Sequence, residues 1–221
     1  MGPRTTDYAA EREAMVERQL KRRGITERAI LDAFRAVPRE LFVTADLAHL
    51  AYADQPLPIG AGQTISQPYV VAMMVQAAAI GAEDKVLEVG AGSGYAAAVI
   101  SRVARRVIAI ERHHELAASA RDRLRRLGYD NIEIVEGDGS RGYEGEAPFD
   151  AILAAASGNH VPQPLIDQLR DDGRLVMPVG DPGWVQQLTK VTKGPGGATV
   201  RENLGGVRFV PLIGAEGWGG A

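Results

Sequence analysis

Glu88, Gly90, Gly92 and Gly94 fall within the segment Lys85-Val-Leu-Glu-Val-Gly-Ala-Gly-Ser-Gly-Tyr95. Glycines at this spacing let backbone N–H groups approach a ligand, and a helix starting after them would add its positive end. A dinucleotide turn reads G-x-G-x-x-G, and its third glycine would fall on Tyr95. Glu88, two residues before the first glycine, would also repel a pyrophosphate. An acidic residue beside a glycine turn suits a ligand with positive charge and hydroxyls. Glu111 ends the apolar run Val107–Ile110, close to where an acidic residue meets ribose hydroxyls in nucleotide-binding βαβ units. Asp138 lies between Gly137 and Gly139. Thr64 and Ser66 are the hydroxyls of a Pro- and Gly-rich stretch, Tyr52–Tyr69. Ser66, with Pro68 close behind, reads as the N-cap of a helix, a role compatible with binding an anion there. No G-x-S-x-G elbow surrounds it, so it is not a nucleophile.

These residues need elements to bring them together. Thr6 or Asp7 is expected to cap a helix to about Arg23, with Met15, Val16, Gln19 and Leu20 inward and Gly24 as its stop. Thr26 is expected to start a second helix, with Ile30, Leu31 and Phe34 inward and Pro38 at its end. Tyr52–Tyr69 shows neither helical nor strand period and suits a lid or binding loop. A helix with Val70, Val71, Met74, Val75 and Ala78 on one face follows, closed by Gly81. Strands are predicted at Val86–Val89, Val107–Ile110, Ile132–Val135, Phe149–Leu153 and Arg174–Pro178. Helices are predicted from Ala96, over His114–Leu127 and over Pro162–Arg170. Gln187–Thr192 and Val207–Leu212 read as antiparallel strands about a Gly194–Gly197 turn. The pattern is α/β: a doubly wound, Rossmann-like sheet with an N-terminal helical cap and antiparallel C-terminal strands. It is read as one domain, residues 1–221, with about 1–80 as cap and substrate loop and about 81–221 as core. Gly90–Gly94, Glu111 and Asp138 then meet at the carboxyl ends of strands, where such sheets bind ligands.

Composition narrows the chemistry. The 221 residues carry a net charge of −3, which is no footprint for nucleic acid or anionic lipid. There is no cysteine, which removes disulfides, thiolate catalysis and Cys-ligated metals. His49, His113, His114 and His160 lack ligand spacing, so no metal is expected. Met1-Gly2 with Thr6 matches a loose myristoylation pattern without a second anchor and is taken as chance. A cytoplasmic protein without membrane or nucleic-acid partners is expected.

The glycine motif with Glu88 resembles the first motif of S-adenosylmethionine-dependent methyltransferases. Pro56-Leu-Pro-Ile-Gly-Ala-Gly-Gln-Thr-Ile-Ser66, Gly137-Asp-Gly139, Ala147-Pro-Phe-Asp-Ala-Ile152, Gly173-Arg-Leu-Val-Met-Pro-Val-Gly180 and Phe209-Val-Pro-Leu212 narrow the likeness. Together they resemble the protein-L-isoaspartate O-methyltransferases over nearly the whole chain, and Gly-Gln-Thr-Ile-Ser is the most particular of them. The resemblance implies methyl transfer from S-adenosyl-L-methionine to the free carboxylate of L-isoaspartyl, and also D-aspartyl, residues in damaged proteins and peptides. The ester then recyclises to a succinimide, which starts repair. By the same resemblance Glu88, Gly90, Gly92, Gly94, Glu111, Asp138 and Gly139, with Thr64 and Ile65, would hold the cofactor. Ser66 would serve catalysis by orienting the acceptor, and Thr64, Ser66, Val210 and Leu212 would shape the peptide site of a monomer. Two places depart from the family pattern: Ala154–His160, and Asp171-Asp172 before Gly173.

Three alternatives compete with this reading. An enzyme dedicated to one aspartyl or isoaspartyl peptide would look the same in sequence. A nucleic-acid amino-methyltransferase would want a polar, Pro-rich loop where Ala154-Ala155-Ala156 stand. A binding module that had lost catalysis would have no need of both Thr64-Ile65-Ser66 and Glu111.

Overall fold

The computed structural model describes residues 7–219; the Thr6 cap and the Met1-Gly2-Thr6 pattern lie outside them. Asp7 caps α1 (Tyr8–Met15) by accepting the Ala10 N–H at 3.1 Å. The helix continues through a π-turn at Val16–Leu20 and a 3₁₀ turn at Lys21–Arg23, and stops at Gly24. Met15, Val16 and Leu20 are buried as their spacing requires. α2 (Arg28–Ala36) buries Ile30, Leu31, Ala33 and Phe34. Thr26 does not start it: its N–H donates to Gln76 Oε1 at 3.0 Å, and the helix opens at Arg28 without a side-chain cap. Val37 is extended ahead of Pro38, which ends the helix.

The stretch expected to be irregular contains a hairpin. β1 (Leu57–Gly60) pairs antiparallel with β2 (Gln63–Ile65). Ala61 and Gly62 join them at φ 49° and 68°, the paired positive values that a tight hairpin turn demands. With Pro58 and Gly60 in β1 and three residues in β2, no period-2 pattern could show. α3 (Pro68–Ala77) has Gln67 as N-cap residue and Pro68 in its first position, so Ser66 does not cap it. Nor does Gly81 close it, because Ala79 already turns left-handed at φ 47°.

The core follows as β3 (Lys85–Val89), α4 (Tyr95–Ser101), β4 (Arg106–Glu111), α5 (His114–Arg126), β5 (Ile132–Glu136), β6 (Phe149–Ala154), α6 (Gln163–Asp167), β7 (Leu169–Val179), β8 (Gln186–Lys193) and β9 (Thr199–Val207). The sheet order is β5-β4-β3-β6-β7-β8-β9. The first five strands are parallel, and β8 and β9 antiparallel. α6 is shorter than its spacing suggested, because β7 already begins at Leu169 opposite Phe149. The antiparallel strand expected at Val207–Leu212 lies earlier. β9 ends at Val207, and beyond it Pro211 makes a lone parallel bridge to Ser157. As an edge strand exposed along most of its length, β9 carries no hydrophobic alternation to read.

Alternate residues of the parallel strands serve opposite faces. Val86, Val107, Ala109 and Ala151 pack with α1 to α5, whereas Leu87, Ile108, Ile110 and Ile152 pack with α6. This is the doubly wound α/β arrangement, and the winding reverses between β3 and β6, where such sheets open a crevice. The N-terminal helices lock onto the start of α4: Phe34 and Phe42 meet the Tyr95 ring edge-on at 6.2 and 5.6 Å.

Ala79 adopts a conformation that suits glycine. Ala79→Gly is therefore expected to stabilise the fold by about 1 kcal/mol, raising Tm by about 2–4 °C in thermal melts. A lower Tm would contradict the strain assigned to this position.

Candidate active site

β3 delivers Glu88 and then the glycine turn to the crevice. Gly90, Gly92 and Gly94 have φ of 91°, 54° and 84°, values that a side chain would strain. At Gly92 a Cβ would also come within 3.1 Å of Ile59 on the hairpin. β4, paired in register beside β3, places Glu111 next to the turn. Glu111 is 4% exposed, and each of its oxygens accepts a backbone N–H at 2.9 Å: Oε2 from Gly92 and Oε1 from His113. Glu88 is 2% exposed, and its Oε2 has no hydrogen-bond partner among the described residues. Burial pushes the Glu88 carboxyl well above the usual carboxylate range, and the charge of Glu111 adds to the effect.

Two clefts open at this end of the sheet. The first is lined by Glu88, Gly90, Gly92, Glu111 and Gly139, by Thr64, Ile65 and Ser66, and by Val210 and Leu212. The second is lined by Arg23, Tyr69, Met73, Val185, Arg208 and Phe209 among others. Thr64, Ser66, Ala155 and Val210 line both and form the wall between them.

Two expected site residues stay outside the first cleft. Gly94 is the N-cap of α4, and a Cβ there would press on Leu124 of α5. Asp138 turns toward the C-terminal segment: Oδ1 accepts the Ser140 hydroxyl at 2.6 Å and Oδ2 the Ala215 N–H at 2.8 Å. Burial raises its pKa, but those hydrogen bonds outweigh burial and leave it below the usual range. Spacing gave Asp138 the correct strand end without revealing which way the carboxylate points.

Several lining residues escaped the sequence reading. Tyr95, wholly buried, lines the first cleft, and burial pushes its hydroxyl up to about 12. Ala155 belongs to the divergent Ala154–His160 loop, which turns out to position Val210 and Leu212. The Ser157 N–H donates to Val210 O and the Leu212 N–H to Ser157 O, both at 2.8 Å, while Trp218 Nε1 holds Ser157 O from the side. The signal was the placement of this loop at the carboxyl end of β6. Among the described residues no helix is long and apolar enough to cross a membrane.

A glycine turn after β3, an acidic residue ending β4 and a crevice at the reversal of winding define the class: a Rossmann-like, S-adenosylmethionine-dependent methyltransferase. Residues 10–217 match the model of the protein-L-isoaspartate(D-aspartate) O-methyltransferase family, and the chain belongs to that family. It is 51% identical to protein-L-isoaspartate O-methyltransferase 2 of Pelobacter propionicus, over 98% of this chain and 96% of that one. It is 52% identical to the Methanoculleus marisnigri enzyme, over 95% and 94%. A solved protein-L-isoaspartate O-methyltransferase superposes with a TM-score of 0.85 at 30% identity, over 93% of this chain and 67% of that one. A Plasmodium falciparum protein assigned to the same family, solved with S-adenosyl-L-homocysteine, gives 0.76 at 26% identity, over 91% and 97%.

The residues fit such a cofactor. Glu88 offers a buried, unpartnered oxygen, Glu111 a carboxylate held rigid by two N–H groups, and the glycine turn leaves room where a side chain would fill the cradle. Glu111→Gln is expected to weaken binding of S-adenosyl-L-homocysteine by about 10- to 100-fold in calorimetry; unchanged affinity in a folded variant would remove Glu111 from the site. Glu88 gives a second test. Its pKa is raised in the fold above its ordinary 4.5, so the stability contributed by the neutral acid is full below that value and is lost as pH rises toward the folded pKa. Glu88→Gln removes this loss, and its Tm relative to the parent should climb as the pH rises above 4.5. A difference that does not vary with pH would contradict a buried, raised Glu88.

Proposed function

We propose that this chain transfers the methyl group of S-adenosyl-L-methionine to the free carboxylate of L-isoaspartyl, and D-aspartyl, residues in damaged proteins and peptides, starting their repair through a succinimide. About residues 1–80 act as cap and substrate loop on the core. The observation that carries the reading is the shared wall. A cofactor held by Glu88, Gly90, Gly92, Glu111 and Gly139 in one cleft, and a peptide in the other, can meet where Thr64, Ser66, Ala155 and Val210 separate them.

When bound, the cofactor supplies an activated methyl group on a sulfonium. An acceptor carboxylic acid has a pKa near about 4 and is already ionised at neutral pH, so the chain needs no general base. Its task is to align the acceptor oxygen and to exclude water. Ile65, buried beside the wall, and Val210 and Leu212 keep the crossing point apolar. Ser66, whose hydroxyl is not engaged as a cap, is free to donate to one acceptor oxygen and leave the other exposed to the methyl group. Among the described residues the second cleft is lined by Arg23 and Arg208 but no carboxylate, which suits an anionic acceptor in a chain of net charge −3. Gly94 and Asp138 support this site from behind by seating α4 and the C-terminal segment. Both clefts are complete within one chain, and the cofactor is an intracellular metabolite; these facts support a monomeric, cytoplasmic enzyme.

Labelled methyl groups should appear in an isoaspartyl peptide and be released by base as methanol, the behaviour of an ester; no incorporation would contradict the reading. Ser66→Ala is expected to lower kcat/KM for that peptide by about tenfold or more while affinity for S-adenosyl-L-homocysteine holds. Its Tm should not change, since no cap is lost. A fall in Tm with unchanged kinetics would return Ser66 to a structural role.

A further inference from the structure

Arg39, in the 3₁₀ turn Arg39–Phe42 after α2, is wholly buried and lines neither cleft. Nε donates to Ala51 O and Nη2 to Ser66 O, both at 2.8 Å. The guanidinium lies 4.6 Å from the centre of the Tyr95 ring and close to the Tyr95 hydroxyl, and among the described residues Nη1 makes no well-formed hydrogen bond. The ionisable groups that face it are Tyr95 and Tyr52, neither of them a carboxylate. Burial lowers its pKa, yet a guanidinium starts so high that it stays charged. A buried cation without an anion is costly, and among the described residues two carbonyls and the Tyr95 ring offset that cost only in part, with no carboxylate facing it.

Its position points to what supplies the rest. The carbonyl gripped by Nη2 belongs to Ser66, on the wall shared by the two clefts. Immediately beyond, α3 opens with no side-chain cap, so its positive end adds to the potential at the same spot. We propose that Arg39 is a positioning residue for the acceptor: it fixes Ser66 through its carbonyl and supplies, from behind the wall, the charge that draws the acceptor carboxylate to the first turn of α3. This rests on the functional reading above. Indirect placement suits the chemistry. As the acceptor oxygen bonds to the methyl carbon, the carbon–sulfur bond breaks with its electron pair going to sulfur, and the carboxylate loses its charge. A bidentate arginine in direct contact would hold that charge in the ground state and blunt the nucleophile. A guanidinium one carbonyl away attracts the carboxylate and leaves its oxygens free.

The test compares an isoaspartyl peptide with its neutral carboxamide analogue, a competitive inhibitor of the same shape. Kd values for both are measured in the wild-type enzyme, Arg39→Met and Arg39→Lys, together with the Kd for S-adenosyl-L-homocysteine. The wild type should prefer the acid by about tenfold or more, and Arg39→Met should abolish that preference while cofactor affinity stays within about threefold. Arg39→Lys keeps the charge and should keep most of the preference, which makes it the deciding variant if Arg39→Met does not fold. Acid and amide weakened equally, or a preference that survives in Arg39→Met or disappears in Arg39→Lys, would overturn the proposal. Wild-type methylation of the isoaspartyl peptide is followed in the same series. Its absence would overturn the functional reading and this inference together, whereas its presence with any of the contrary binding results would overturn the inference alone.

Discussion

Everything in this molecule depends on one constraint: a cationic methyl donor and an anionic acceptor must leave water and meet in line at a single opening. The opening is the wall of Thr64, Ser66, Ala155 and Val210. Three separate parts of the chain build it. The β1–β2 hairpin carries Thr64, the loop after β6 carries Ala155, and the segment after β9 carries Val210. Each is tied to a rigid neighbour: Ser66 by Arg39, Ala155 by its N–H to Val89 O, and Val210 by Ser157. A wall assembled this way tolerates little displacement, and a displacement of about 1 Å at a reacting centre can cost on the order of 10²-fold in rate.

On the donor side the same constraint explains two carboxylates that would otherwise be a liability. Glu88 and Glu111 lie at the carboxyl ends of neighbouring strands, nearly excluded from water, and burial together with the charge of Glu111 disfavours ionisation of Glu88. Glu111 is stabilised by two backbone N–H groups that the glycine turn and the following loop provide. Among the described residues the Oε2 atom of Glu88 has no such support, and on the function proposed above a cationic ligand in the cleft would be the partner it lacks. On the proposed acceptor side Arg23, paired with Asp54 at 2.8 Å, and Arg208 line the second cleft, with Arg39 buried behind the wall.

Much of this was legible in the sequence, for physical reasons that differ by element. β3, β4 and β6 are buried on both faces, so their runs of Val, Ile, Leu and Ala stand out, and the glycine turn after β3 marks where the strand ends. The acidic residues near strand ends followed from that, and Glu88 and Glu111 both line the first cleft. Asp138 was placed at the right strand end but its carboxylate faces the C-terminal segment, because a spacing gives a residue's position and not its rotamer. The β1–β2 hairpin was hidden by Pro58 and Gly60, and β9 by its exposure at the sheet edge. Ser66 looked like a cap because Pro68 follows it, yet the helix begins one residue later and leaves the hydroxyl uncommitted. Arg39 gave no signal, since nothing in Pro-Arg-Glu-Leu-Phe announces a buried guanidinium.

The central claim is that geometry at the wall, rather than charge, separates an isoaspartyl acceptor from its aspartyl isomer. Isoaspartyl and aspartyl isomers of one peptide have the same composition and charge, but in the first the free carboxylate is on the α-carbon, one methylene closer to the main chain. The most direct measurement is kcat/KM for both synthetic isomers at equal concentration, read as base-labile methyl ester. The account predicts that the isoaspartyl peptide is favoured by about 10²-fold or more. Equal rates on the two isomers would contradict it, even with the cofactor bound as described.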